Sequence, residues 1–385
     1  MRILLASSSS GSRGGGELFL VYLGRALAQR GHEVTLWAST HPRMDELSNT
    51  FIGFGEVIRS KYANTYDRRG RSLASYANLW GSRVVAAEWR KLGSQVVHVN
   101  KQNLEDGLDL LRAARCSRIP SLATIHLTQT AEYLNARFAS VRDWIARKAL
   151  CSYPGMLVAV LENRWKDLLN FLGPSPRIRM VQNGVPLFDL TQRESARASK
   201  RAELGYANHH QLFLGLGRMV KQKRPLVFLE QAERIHLKMP NARFLWVGEG
   251  PISEEWDSWV ASRGLQEVIH RLTWQHDIQP LLFAADVFMH TAEYEGLPLA
   301  ILEGMSAALP VALTSNLITD LPFLAPAEPI LLNGGIDFAT LENRVEMRAR
   351  GQAARGIVKD RFSFDRMAEE YEVLYKTLAS SSAHR

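Results

Sequence analysis

Glu295 and Glu303 stand eight residues apart, on either side of Pro298, within residues 290–311, which read HTAEYEGLPLAILEGMSAALPV. An ionised carboxylate only accepts hydrogen bonds, so it holds neutral hydroxyls and repels anions. Proline at a first helical position has no N–H to lose. A helix starting near Pro298 leaves the N–H groups of Leu299 and Ala300 facing the loop before it, and such a helix start binds phosphate. Phosphate in the middle with hydroxyls at both ends describes a sugar nucleotide. Glutamate is common, so the pair by itself also fits a solvated helix face.

A second group offers the complementary charge. Gly217 and Arg218 follow an apolar run over 212–216, and Lys221, Lys223 and Arg224 precede a helix expected from Pro225. A sugar nucleotide departs as a diphosphate, and fixed cations stabilise the charge that grows on it. Arg218 supplies a planar fork and Lys223 a mobile point charge. A basic surface loop at a strand end gives the same pattern. Gly248, Glu249 and Gly250 form a further turn after a strand over 244–247. No D-x-D pair and no His, Cys and carboxylate cluster with metal spacing occurs, so no metal is expected.

These residues need elements to position them, and the chain alternates apolar runs with helical patterns throughout. A strand over 2–7, a glycine-rich loop over 8–16, a helix over 17–30 closed by Gly31 and a strand over 33–38 make an opening βαβ unit. Gly11, Gly14, Gly15 and Gly16 do not supply G-x-G-x-x-G in register, and Trp37-Ala38-Ser39 offers no acid at the end of the second strand. A nicotinamide fingerprint is therefore absent. Helical segments follow over 73–92, then strands over 95–99 and 121–125. His98 and His126 sit where these two strands finish, beyond which ligands bind in open α/β sheets, although a lone histidine such as His98 also fits a packing residue. A strand over 156–160, a helix over 163–171, a strand over 179–182, the turn Asn183-Gly184, a strand over 268–274 and a helix over 278–285 capped by Asp277 complete the reading.

The expected architecture is α/β: two doubly wound parallel sheets facing a cleft. The division is residues 1–185 as an acceptor-side domain, 186–209 as a polar connector with Arg193, Arg197, Lys200 and Arg201, 210–362 as a nucleotide-sugar domain, and 363–385 as a helix returning to the first domain. That last helix carries Met367, Tyr371, Leu374 and Tyr375 in an amphipathic pattern. A chain of 385 residues exceeds one core. No stretch spans a bilayer and the apolar start is too short for a signal peptide, so a cytoplasmic protein is expected. Cys116 and Cys151 give neither a disulfide framework nor zinc spacing. The formal net charge is +8. Arg59, Lys61, Arg68, Arg69 and Arg71 alternate with Tyr62 and Tyr66, yet no nucleic-acid-binding pattern accompanies them. A solvated loop, or one facing an anionic membrane or an acceptor, remains.

Taken whole, EGLPLAILEGMSAALPV resembles the E-x7-E segment of glycosyltransferase family 4, the retaining GT-B glycosyltransferases, including its small residues and the Pro310-Val311 entry to the next strand. Gly217-Arg218 with Lys223 resembles the family's G-R and K pair, and Gly15, Gly16 and Glu17 its GG-x-E-like start. His126 in TIH is similar to its strand-end histidine, Asn183-Gly184-Val185 to its NGV turn, and Gly248-Glu249-Gly250 to its G-x-G turn. The resemblance implies transfer of a sugar from a UDP-, GDP- or ADP-sugar to a hydroxyl acceptor, with retention at the anomeric carbon and with no cofactor. It implies catalytic roles for Arg218, Lys223, Glu295 and His126. Donor binding would fall to Gly15, Gly16, Glu17, Gly217, Gly248, Glu249, Gly296, Leu297, Pro298, Leu299 and Glu303. In that scheme Glu295 holds sugar hydroxyls, Glu303 the ribose, and the leaving phosphate helps take the acceptor proton. The acceptor would be a saccharide or lipid-linked saccharide of the cell envelope. Leu161, Ala308, and Thr314, Ser315, Asn316 and Asp320 after Val311 depart from the family pattern, and no glycine lies near Trp274. A non-catalytic binding protein and a sugar-nucleotide epimerase of similar fold are the alternatives.

Overall fold

The structure, a computed structural model, describes residues 1–11 and 14–383. Two compact units emerge: Met1–Gly184 with the residues from Phe364 onward, and Val185–Ser363.

The first unit is built on seven strands, β1 (Arg2–Ser7), β2 (Glu33–Ser39), β3 (Glu56–Ser60), β4 (Val96–Asn103), β5 (Ser121–Leu127), β6 (Met156–Ala159) and β7 (Ile178–Met180). They lie in the order β3-β2-β1-β4-β5-β6-β7 and are parallel throughout. Strand side chains alternate between faces. Ile3 and Leu5 accordingly join Phe19, Leu36 and Tyr371 in one core, while Leu4 and Ala6 join Trp89, Val97 and Leu108 in the other. Both faces are covered, which is why β1 reads as a continuous apolar run.

The C-terminal helix Phe364–Ala383 belongs to this unit and packs on helix Gly15–Gln29. Met367, Tyr371 and Tyr375 are fully buried. His98, in mid-strand, is a packing residue: its Nδ1 meets Tyr375 Oη at 2.7 Å and its Nε2 meets Thr124 Oγ1 at 2.8 Å. Thr124 in turn meets Tyr371 Oη at 2.7 Å, so one buried polar chain anchors the helix.

The second unit has six parallel strands, β8 (Gln211–Leu216), β9 (Ala242–Val247), β10 (Ile269–Leu272), β11 (Val287–His290), β12 (Val311–Leu313) and β13 (Ile330–Leu331), in the order β10-β9-β8-β11-β12-β13. In each sheet the strand order reverses beside the first strand, at β1/β4 and at β8/β11. Ligands of open α/β sheets bind beyond the carboxyl ends at such switch points.

Several expectations shift. Residues 186–209 are not a free connector but part of the second unit, with a helix at Arg193–Glu203. Arg197 and Arg201, one turn apart, donate to the carbonyls that end helix Gln279–Ala284 and pair with Asp286. Basic side chains expected in a polar connector thus satisfy a helix C-terminus. The helical segments expected over 73–92 are the helices Arg71–Ala77 and Leu79–Lys91, parted at Asn78 where ψ is 68°. The basic stretch 59–71 is largely structural: Arg59 pairs with Asp45, Arg68 with the buried Asp109, and Tyr62 lies in the core. Lys61, Arg69 and Arg71 remain exposed. Among the described residues no helix is long and apolar enough to cross a membrane.

Candidate functional site

In the second unit the carboxyl ends of β8, β9 and β11 bring the predicted residues together. Gly217 has φ +154° and Gly248 φ +136°, left-handed values that favour glycine. A side chain at Gly248 would strike the Gly217 carbonyl, so the two turns touch through backbone alone. Trp246 Nε1 donates to the Gly217 carbonyl at 3.0 Å, and Met219 N to the Glu249 carbonyl at 3.0 Å. This closed pair of turns presents Arg218 and Glu249 on the surface.

Lys223 ends a short 3-10 turn, Lys221–Lys223. Its Nζ lies 2.5 Å from Glu295 Oε1, and the same oxygen accepts from His290 Nε2 at 2.9 Å. Glu295 is 6% exposed. Burial pushes its carboxyl up, but the Lys223 ammonium and the His290 hydrogen bond outweigh burial and hold it at about 2. Burial lowers His290, against the pull of Glu295. The neutral imidazole therefore carries its proton on Nε2, where Glu295 accepts it.

The loop from β11 is fastened at several points. Thr291 Oγ1 donates to the Lys223 and Arg224 carbonyls, Gln222 Nε2 to the Tyr294 carbonyl at 3.0 Å, and Glu293 N to the Gln222 carbonyl at 2.8 Å. Asn316, one of the departures after Val311, donates through Nδ2 to the carbonyls of Ala292 and Glu293 at 3.2 and 2.8 Å. A side-chain amide braces the acidic loop here. His290, Thr291, Gln222 and Asn316 are the residues that sequence reasoning missed. A histidine five positions before Glu295 at a strand end was the available signal.

Pro298 is the N-cap of helix Leu299–Ser306 rather than its first residue, with ψ 104° and no side-chain cap. Gly296, Leu297, Pro298 and Leu299 are buried at this start, and Glu303 is 2% exposed. Gly304 packs against the Phe288 ring, which leaves no room for a side chain. The helix therefore lies close on β11, and its start is fixed beside Glu295.

The first unit collects its own polar group at the ends of β1, β4 and β5. Glu17, 8% exposed in the first turn of helix Gly15–Gln29, accepts from Ser9 Oγ at 2.6 Å. Gly15 is exposed, and a side chain at Gly16 would overlap that of Gln102. Asn100 Nδ2 donates to the Gly16 carbonyl at 2.8 Å, which leaves Asn100 Oδ1 to accept from His126 Nε2 at 2.7 Å. His126 Nδ1 then faces Asn183 Nδ2 at 3.5 Å. Burial lowers His126 to about 3, so the ring is neutral with a set tautomer. Gly15, Gly16, Glu17 and His126 thus share one strand-end region of the first unit, and Arg218, Lys223, Glu295 and Glu303 one region of the second.

Known proteins are similar to this chain in sequence and in fold. A model of glycosyltransferase family 4 matches residues 13–187, and one of the glycosyl transferases group 1 matches residues 210–322. A UDP-Gal:alpha-D-GlcNAc-diphosphoundecaprenol alpha-1,3-galactosyltransferase of Escherichia coli is 33% identical over 144 residues, 37% of this chain and 37% of the relative. The match therefore spans little more than a third of that relative's length. The lipopolysaccharide core biosynthesis glycosyltransferase LpsE of Rhizobium meliloti is 24% identical over 80% of this chain and 77% of its own. Among solved structures, Anabaena HepE in complex with UDP and glucose superposes with a TM-score of 0.75 at 18% identity, covering 99% of this chain and 100% of that one. The doubly wound sheets are those of the GT-B fold, and with two family models meeting its two halves the chain belongs to the group 1 glycosyltransferases of family 4.

Proposed function

We propose that this chain moves a sugar from a nucleotide-sugar donor to a hydroxyl acceptor with retention at the anomeric carbon, in the building of a cell-envelope glycan. The observation that carries the reading is the pair of buried residues Glu295 and His290 with the half-buried Lys223 at an uncapped helix start, in the unit where Arg218 is exposed at the end of β8. The helix start and Arg218 receive the diphosphate, Glu303 the ribose, and Glu295 the hydroxyls of the sugar. Lys223 is the mobile member: its ammonium turns from Glu295 toward the diphosphate as charge develops there, while His290 keeps Glu295 in place. Catalysis then rests on positioning and charge stabilisation, without a divalent ion. His126 and the Gly15–Glu17 turn, in the first unit, join the reading through the family resemblance alone.

HepE binds UDP and UDP-glucose, which favours a UDP-sugar donor, and the Escherichia coli relative acts on a diphosphoundecaprenol-linked sugar, which favours a lipid-linked acceptor. Lys61, Arg69 and Arg71, exposed and basic, would then touch an anionic membrane. Charge reversal at these three should abolish binding to anionic liposomes; unchanged binding removes the contact. The function itself is tested by thermal shift with UDP-, GDP- and ADP-sugars in EDTA, on the wild type and on Arg218→Ala and Glu303→Ala. A ligand at a hundred times its dissociation constant adds about 2.7 kcal/mol. Stabilisation by one nucleotide class, lost in both variants, supports the reading, and a silent screen overturns it.

A further inference from the structure

A second cluster of cations lies away from both strand-end regions. Arg83, Ala86 and Arg90 share one face of helix Leu79–Lys91 by their spacing, and helix Leu108–Ser117 beside it brings Arg115 and Cys116, with Arg118 just beyond. Together they line a depression of about 400 Å3. All four arginines are exposed, and no carboxylate lines the depression. Arg90 Nη1 donates to the Cys116 carbonyl at 3.2 Å. Among the described residues no ion pair engages any of the four.

The fold places this depression at the wrong edge for glycosyl transfer. Helix Leu79–Lys91 leads into β4, and helix Leu108–Ser117 leads from β4 to β5. Both helices therefore finish at the amino edge of the sheet, opposite His126. Cations near helix C-termini complement the backbone dipole, which accounts for Arg90 and Arg115. It does not account for Arg83, in the second turn of its helix, or for four like charges drawn together. Arg118 adds a separate sign: it holds φ +61°, the left-handed cap conformation usual for glycine, yet presents a guanidinium. Guanidinium forks match phosphoryl oxygens two at a time. On the same helix Leu79, Trp80 and Val84 are exposed by 55, 78 and 46%. Tryptophan beside a cation cluster suits a lipid–water boundary.

We propose that the depression formed by Arg83, Arg90, Arg115 and Arg118 binds a phosphoryl group, carried by an anionic phospholipid headgroup or free in solution. It stands independently of the glycosyl-transfer reading. Cys116 lines the depression and reports its occupancy, with the exposed Cys151 as internal control. Alkylation of each thiol in the full chain is followed by mass spectrometry. One arm compares pyrophosphate with chloride at equal ionic strength, and the other compares phosphatidylglycerol vesicles with phosphatidylcholine vesicles. At ten times the dissociation constant the open fraction, and with it the Cys116 rate, falls about tenfold, while Cys151 is unchanged. Protection by pyrophosphate identifies a free anion; protection by phosphatidylglycerol alone identifies a lipid headgroup. Either must disappear in Arg83→Glu/Arg115→Glu and in the milder Arg83→Gln/Arg115→Gln. Protection that survives these substitutions, or none in either arm, overturns the proposal.

Discussion

Lys223→Met removes the ammonium that lies 2.5 Å from Glu295 Oε1. At that distance and an effective dielectric of about 20 the attraction is roughly 7 kcal/mol before desolvation, an upper bound. The depression of the Glu295 carboxyl from 4.5 to about 2 corresponds to about 3 kcal/mol of net stabilisation. Breaking a buried pair from one side costs about 3–5 kcal/mol, so Lys223→Met should destabilise the protein by about 3 kcal/mol at pH 7. Glu295→Gln should cost less, about 1 kcal/mol, because the Lys223 side chain is 18% exposed against 7% for Glu295 and can turn to water. The double variant should resemble Glu295→Gln. The pH dependence has a definite sign. The folded carboxyl lies below its ordinary value, so its contribution is complete above about pH 5 and is lost as pH falls from 4.5 toward 2. In Lys223→Met only His290 is left to oppose burial, so the carboxyl rises and the gap to wild type narrows as the solution is acidified. Guanidinium unfolding of the four proteins at pH 7 and pH 4 measures both effects. A coupling energy below about 0.5 kcal/mol, the limit expected of independent sites, or a gap that widens in acid, refutes the reasoning.

Further outcomes follow from other contacts. His98 and His126 are held neutral by burial at about 3, the charge of His126 adding to the effect on His98, so the first unit should be fully stabilised above pH 6.5. It should lose about 1.4 kcal/mol per pH unit for each histidine as pH falls from 6.5 toward 3, and thermal unfolding at pH 7.5 and 5.5 reads this. Tyr375→Phe strands His98 Nδ1 and should cost about 1–3 kcal/mol, with faster hydrogen exchange confined to helix Phe364–Ala383. Ala308 holds φ +55°, so Ala308→Gly should stabilise by up to about 1 kcal/mol in chemical unfolding. Asn316→Ala frees the loop before Glu295 and should raise the donor KM about tenfold, equivalent to the loss of about 1.4 kcal/mol, with little change in melting temperature.

Local chemistry made much of this protein legible in one dimension. Apolar runs of four to eight residues between helical periods specify buried parallel strands, and Arg218, Lys223, Glu295 and Glu303 stand out by type and place as candidates for an anion and hydroxyl site. The glycines at 217 and 248 also declare themselves, since only their backbone freedom allows the two turns to touch. Partnership across long separations is what the chain could not state. Arg201 looks like one more basic residue of a connector until Asp286, 85 residues away, is folded against it. His98 and His126 look alike as strand histidines, yet one faces Tyr375 and Thr124 in the core and the other Asn100 at the sheet edge. His290 gains its meaning only when the turn after β11 brings Glu295 and Lys223 to the same point. Burial and pairing are properties of the assembled structure, so tertiary contacts decided which charges are held, which tautomers are set and which arginines are left facing solvent together.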